Sequence, residues 1–155
     1  MSTRRKRSNG SGFSFIASFL AREPDMGEHR HSMMLTTRLG RNMLETGDGT
    51  AEIWIEMAGV LNVCGLYATK KARADWIALL QKGGDAMREV EARHRRVGGR
   101  YAANAAETAA ITAALNVMDV EILPAMPLIE FVHEAERVNR MNAEYFAAQD
   151  AKEAT

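Results

Sequence analysis

The chain has 155 residues, 46% of them hydrophobic and 26% charged, and its 20 basic and 20 acidic side chains balance. This length and composition are typical of one globular domain and exclude a fibrous or fully disordered chain. The only cysteine, Cys64, excludes an internal disulfide and a zinc site built from several cysteines. A lone thiol is typical of a reducing compartment, so we expect the protein in the cytoplasm.

The charge is distributed unevenly, because the first twelve residues contain basic side chains and no acidic ones. These basic residues are Arg4, Arg5, Lys6 and Arg7. The polar, Gly- and Ser-containing composition of residues 1–12 predicts a disordered tail. Such a tail either remains solvated or contacts phosphates, and phosphate contacts would give a nucleic-acid affinity that falls with salt.

Residues 13–150 are predicted to form a single domain. Its first segment, 13–21 (FSFIASFLA), is suited to a short helix or to an apolar anchor on the rest of the domain, and 22–31 is predicted to be a loop. No apolar run approaches the roughly 18 residues of a membrane span. The N-terminal segment also lacks the cleavage pattern of a signal peptide. We therefore expect no membrane contact.

The first two long helices are predicted from apolar periodicity. The first spans 32–46 with Leu35, Leu39 and Met43 on its buried stripe. Thr50 is suited to cap the second helix. Apolar residues cover most of the circumference of that second helix, which predicts a central position in a bundle.

The third helix is predicted from a Thr69 cap through residues 70–97. Gly83-Gly84 in its middle predicts a kink or a close helix crossing, because glycine lacks a side chain and costs about 1 kcal/mol in helix propensity. Gly98-Gly99 is expected to end the helix, since glycine tolerates the positive φ of a helix terminus.

The fourth helix is predicted over 105–122, and Asn104 with Glu107 resembles a capping box at its start. Pro124 is expected to stop this helix, and Pro127 to begin a fifth helix over 127–149. Short connections make consecutive helices antiparallel neighbours. The fold class is thus predicted to be all-α, an antiparallel bundle of about five helices behind a disordered basic tail.

Two Glu-x-x-His pairs, Glu91/His94 and Glu130/His133, raise the question of a di-iron or di-manganese site of the kind found in helix bundles. At 100° per residue, Glu130 and His133 fall opposite the apolar stripe of their helix. They also fall at the other end of the bundle from His94. The sequence therefore predicts no metal ion at these pairs.

His94 and Glu107 both fall on apolar stripes at one end of the bundle, which predicts a buried, hydrogen-bonded pair. A mononuclear metal site and acid–base catalysis by His94 remain as alternatives. No phosphate-binding glycine loop and no nucleophile motif accompanies the histidine. We therefore predict that the protein is not an enzyme and needs no cofactor.

Basic residues cluster at the end of the third helix: Arg93, Arg95, Arg96 and Arg100. Cations are favourable at a helix C-terminus, which accounts for most of this cluster without a ligand. The alternative is a nucleic-acid contact that these arginines share with the basic tail.

Over about residues 48–141, the chain resembles a family of small helical proteins encoded by proteobacterial phages and prophages. The resemblance rests on Trp54, Asn62, Arg93-His94 followed by Gly98, Ala105-Ala106-Glu107 with Ile111, and Glu130-Phe131. Those proteins also begin with a basic segment. The family has no assigned activity, so the resemblance implies a mobile-element accessory protein in a bacterial host and carries no residue roles.

These observations predict a non-enzymatic accessory or regulatory protein that binds a host or phage macromolecule, in the first place a protein. Counter-defence is one form that such binding can take. The main alternative is a nucleic-acid-binding protein that uses the basic tail and the Arg93–Arg100 patch. A metal- or histidine-dependent enzyme is the third hypothesis, and a homodimer remains open.

Overall fold

The protein is a bundle of five helices in the computed structural model, which describes residues 26–154. In chain order the helices are α1 (Met26–Thr46), α2 (Ala51–Lys70), α3 (Ala74–Val97), α4 (Ala105–Ala125) and α5 (Leu128–Glu153). No strand occurs in this range, so the predicted all-α class is confirmed. The predicted tail 1–12 and the segment 13–21 lie outside the described residues.

Helix α2 occupies the centre of the bundle, as its apolar circumference predicted. It packs against α1, α3 and α5 as well as the last part of α4. Its fully buried side chains include Met57, Val60, Val63 and Cys64. The Thr50 hydroxyl accepts a hydrogen bond from the Ile53 backbone N–H, which confirms the predicted cap.

Helix α1 differs from its prediction in both start and phase. It begins at Met26, so most of the predicted loop 22–31 is helical. Leu35 and Leu39, predicted to be buried, are 59% and 57% exposed. The buried stripe instead consists of Met33, Thr37, Gly40 and Leu44. A Cβ added at Gly40 would lie 2.5 Å from Met57 Sδ, so the absent side chain lets α1 approach α2 closely.

The turn between α2 and α3 also differs from its prediction. Thr69 does not cap α3, because its hydroxyl donates to the Gly65 carbonyl at 2.9 Å inside α2. Helix α2 continues through Lys70, and α3 begins at Ala74. Between them Ala72 has a φ of 52°, a left-handed conformation that brings the chain round.

Helices α3 and α4 cross closely at Gly83. A Cβ there would lie 2.5 Å from the Cβ of Ala114, so the predicted close crossing is confirmed, and α3 runs on as one helix through it. Gly98 and Gly99 have φ values of 76° and 80° and end α3 as predicted. The capping box at the start of α4 is likewise confirmed.

Pro124 does not stop α4, because a wider turn precedes it. Residues Met118–Ile122 form a π-helical segment in which the Leu123 N–H donates to the Met118 carbonyl, five residues back. Proline lacks an N–H and crowds the carbonyl four residues earlier. The π segment changes that local hydrogen-bonding pattern, and helical backbone continues to Ala125. Pro127 then lies just before α5 as its N-cap.

Among the described helices, α4 alone is long and apolar enough to pass a composition test for a membrane span. Half of its most apolar 18-residue window is buried in the bundle, where α4 packs against α1 and α3. A core helix of a bundle passes the same test. The sequence analysis looked for a continuous apolar run and therefore did not single out α4, because polar residues interrupt the apolar sequence of that helix.

The Gly83→Ala substitution should destabilise the protein, because the added methyl group would overlap that of Ala114. Overpacking of this kind costs about 1–3 kcal/mol, although alanine has the higher helix propensity. Urea unfolding followed by circular dichroism measures the loss. The matched control is Gly84→Ala on the next residue, where the nearest atom to a new Cβ is the end of Arg88 at 3.8 Å. Equal stability of the two variants would contradict the close crossing.

Candidate functional site

The Glu107 carboxylate is bound by Arg93 rather than by His94. Arg93 Nη1 donates to Glu107 Oε2 at 3.0 Å and to the Ala102 carbonyl at 2.8 Å, and Nη2 donates to Glu107 Oε1. The Asn104 N–H donates to Glu107 Oε2 at 2.9 Å. The predicted His94–Glu107 pair is therefore wrong, because the guanidinium next to His94 offers two parallel donors.

His94 packs against an aromatic ring instead. Its ring centroid lies 4.0 Å from that of Tyr101, with the planes 16° apart. Its Nδ1 atom is buried and has no hydrogen-bond partner among residues 26–154. Beside His94 lies a cavity of about 210 Å³ whose lining includes Val90, Val97 and Arg100. The ring is thus held by stacking and offers no geometry of a base paired with a carboxylate.

Hydrogen bonds lower the pKa of Glu107. Burial alone would raise it, but the hydrogen bonds from Arg93 and from the Asn104 backbone outweigh burial. The carboxylate therefore stays charged in the folded protein to a lower pH than in the unfolded chain. Glu107 joins the start of α4 to the end of α3, which is a structural role.

The arginines predicted to contact nucleic acid divide into two pairs. Arg93 is held by Glu107 and Arg95 by Glu91, so neighbouring carboxylates offset their charge. Arg96 and Arg100 form no ion pair within residues 26–154 and are exposed. The other four predicted contacts, Arg4, Arg5, Lys6 and Arg7, lie outside the described residues.

The two Glu-x-x-His pairs do not form a common site. Glu130 lies within 3.8 Å of the Lys70 and Lys71 amines at the end of α2, whereas His94 is in the last turn of α3. The part of the chain that the structure describes contains no group of three or more His, Cys, Asp and Glu residues close enough to hold a metal ion.

A groove between α2, α3 and α5 is the larger of two notable cavities in the described bundle, at about 300 Å³. We call it the α2/α3/α5 groove. Its apolar lining is Leu61, Leu66, Ile77, Leu80, Val138 and Met141. Its polar lining is Asn62, Thr69, Gln81, Arg88 and Asn142. Helix α5 packs on α2 and leaves this channel between itself and α3.

Two glycines complete the lining, Gly65 on α2 and Gly84 on α3. Among the residues that the structure describes, a Cβ at Gly65 would meet nothing within 4 Å, and one at Gly84 would meet only the end of Arg88 at 3.8 Å. Both lie inside helices, where glycine is costly, and neither is required by packing. The sequence analysis did not predict this groove. The glycines inside α2 and α3 could have indicated it, but Gly84 was interpreted together with Gly83 as part of a helix crossing.

The side chains that line the groove are suited to binding and not to proton transfer. They include three amides and no Asp, Glu, His or Cys, and the Thr69 hydroxyl is used within α2. Arg88, the one charged residue of the lining, pairs with Asp85. An apolar floor with a few amide groups at its edge holds an apolar group and orients it by hydrogen bonds.

Comparison with known proteins gives no relative, since no family model, no curated protein and no solved structure matches the chain. The resemblance to phage-encoded helical proteins therefore stays a prediction.

The Glu107→Gln substitution should lower the free energy of unfolding at pH 7 by about 1 kcal/mol, since it weakens both the cap and the partly exposed ion pair. His94→Leu should cost less, because His94 donates nothing to Glu107 in this structure. Urea unfolding of the two variants compares these costs. Because His94→Leu also removes the stacking on Tyr101, the double variant decides: losses that add exclude a His94–Glu107 pair, and non-additive losses would restore it.

The stability difference between the wild type and Glu107→Gln should depend on pH, and the lowered pKa of Glu107 sets the direction of that dependence. Because the folded pKa of Glu107 is lowered, its stabilising contribution is complete above the unfolded glutamate pKa of about 4.3. The contribution is lost as the pH falls through the folded pKa. The stability difference between the wild type and Glu107→Gln should therefore shrink below about pH 4. A difference that is constant between pH 7 and pH 3 would exclude this linkage.

Proposed function

We propose that this protein acts by binding and not by catalysis, and that its α2/α3/α5 groove takes up apolar side chains of a partner protein. The apolar floor supplies the affinity, and the amides of Asn62, Gln81 and Asn142 orient the bound segment. Peptide segments are commonly recognised in this way, by a groove between helices that accepts an amphipathic partner.

The observation that carries this proposal is the pair of glycines in the groove. Each glycine in a helix interior costs about 1 kcal/mol relative to alanine. At Gly65 and Gly84 no neighbouring group requires the absence of a side chain. Their common effect is a wider and smoother groove. Positions where a sequence gives up stability without a structural reason are expected at functional sites.

A protein partner fits this groove better than a small molecule does. The groove is an open channel along helices and not an enclosed chamber, and Met141 at its edge is 52% exposed. One turn further along α5, Tyr145 is 52% exposed as well. Exposed methionine and tyrosine beside an apolar channel are typical of surfaces that bind proteins.

The setting that we propose follows from the family resemblance. It is the cytoplasm of a bacterium that carries the phage or prophage, with a host or phage protein as the partner. Binding there would work by covering or redirecting that protein, and counter-defence is one form of such action.

The Gly65→Phe substitution should abolish capture of the partner while leaving the fold intact, since the ring would project into open space within the groove. Affinity purification from phage-infected or lysogenic cells, with quantitative mass spectrometry, measures the capture. Gly65→Ala should stabilise the protein by about 0.5–1 kcal/mol, because its Cβ meets no atom.

Ala109→Phe is the matched control, because Ala109 is an exposed residue of α4 outside the groove. This variant should capture the same partner as the wild type. If Gly65→Phe retains the partner and Ala109→Phe loses it, binding takes place on another surface and the groove proposal is wrong.

A nucleic-acid partner is the second candidate, and the exposure of Arg96 and Arg100 without ion pairs favours it. Fluorescence anisotropy with a labelled duplex across a salt series tests it. If nucleic acid is bound, affinity should fall steeply with salt, and Arg96→Gln with Arg100→Gln should reduce the slope by about two. On the groove proposal, the same double variant captures its protein partner as the wild type does.

A further inference from the structure

The side of α1 that faces away from the core carries an uncovered apolar strip. Leu35 and Leu39 lie one turn apart, opposite the stripe that includes Met33 and Leu44, and each is more than half exposed. Residues 26–154 leave more than half of each of these two side chains uncovered. One exposed leucine is ordinary, whereas two on successive turns form a continuous apolar surface that an amphipathic helix normally turns inward.

We propose that the chain's own segment 13–20 (FSFIASFL) docks on this strip, which we call the α1 strip. The segment lies outside the described residues and precedes α1 by only five positions. It carries the apolar side chains Phe13, Phe15, Ile16, Phe19 and Leu20. With serines at positions 14 and 18, it has both an apolar face for the strip and polar groups for water.

The lengths allow this docking. Leu35 lies nine residues into α1, about 13 Å from Met26 along the helix axis. Helices pack about 8–10 Å apart. The six residue steps from Leu20 to Met26 span at most about 20 Å. The segment can therefore turn back at 21–25, where Pro24 disfavours a continuous helix, and run antiparallel to α1 past Leu39.

The α1 strip is too small to hold a second copy of the chain by itself. A stable interface buries roughly 800 Å² on each partner, far more than two leucine side chains offer. A tethered segment needs less, because the connection gives it an effective concentration in the millimolar range. The area thus favours a segment of the same chain over a separate molecule.

Limited proteolysis of the full chain with a protease that cleaves after aromatic residues tests the docking. In the Leu35→Ser, Leu39→Ser double variant, cleavage within 13–20 should be roughly tenfold faster or more than in the wild type. Circular dichroism should show an unchanged bundle. Val97→Ser with Ile129→Ser is the control, since both residues are exposed on other helices, and its cleavage rate should equal that of the wild type.

A second set of variants tests the same contact by changing residues of the segment 13–20. Ile16→Ser with Phe19→Ser should accelerate cleavage at the remaining Phe13 and Phe15 to a similar extent. Combining it with the α1 double variant should add nothing further, because both sets remove the same contact. Additive acceleration would overturn the proposal.

Three other outcomes would also overturn it. Equal cleavage of the wild type and the α1 double variant would show that the strip does not hold the segment. Protection that disappears on dilution, together with a dimer in sedimentation, would assign the strip to a second copy. Protection that appears only with anionic phospholipid vesicles would assign the segment to a lipid surface.

Discussion

The close approach of α3 to α4 at Gly83 sets the geometry on which the rest of the bundle depends. Because Gly83 has no side chain, the Ala114 methyl group occupies the place that a Cβ would take. This contact fixes the level of α4 on α3, and thereby brings the start of α4 beside the last turns of α3, where Arg93 binds Glu107. Gly40 has the same role between α1 and α2. At these two crossings the absence of a side chain sets how closely the helices approach.

Four of the glycines inside helices show how much the sequence can say about function. From the sequence, Gly40, Gly65, Gly83 and Gly84 all appear as the same weakness in helix propensity. In the structure a neighbouring helix occupies the space beside Gly40 and Gly83, whereas Gly65 and Gly84 face open space in one groove. The distinction is one of tertiary position, which no local pattern contains. It also changes how each glycine is interpreted, from a packing requirement to stability given up in the groove for which we propose binding.

Most of the helix-terminus predictions succeeded because they depend on a few neighbouring residues. The predictions for α1 and for Glu107 failed because they depend on which face of a helix is buried and on which of two neighbours binds a carboxylate. The Thr50 cap, the Asn104/Glu107 capping box and the Gly98 terminus are all decided within a few residues. For α1 the two exposed leucines suggested a buried stripe, while the true stripe contains Thr37, whose hydroxyl bonds to the Met33 carbonyl, and Gly40. For Glu107 the sequence offered two adjacent partners, and the guanidinium prevailed over the imidazole because it donates two parallel hydrogen bonds.

Several polar side chains near the core already join helices, so these groups are not available for binding a partner. Arg38 on α1 binds Asp119 of the π segment, whose pKa burial raises despite that arginine. The indole of Trp76 donates to Glu121, and the Tyr67 hydroxyl donates to the Ala125 carbonyl. Within the described residues, these groups each have a structural partner. Leu61, Leu80 and Val138 at the floor of the groove also belong to the core, but the amides of its lining and the exposed leucines of the α1 strip are not among these helix-joining groups.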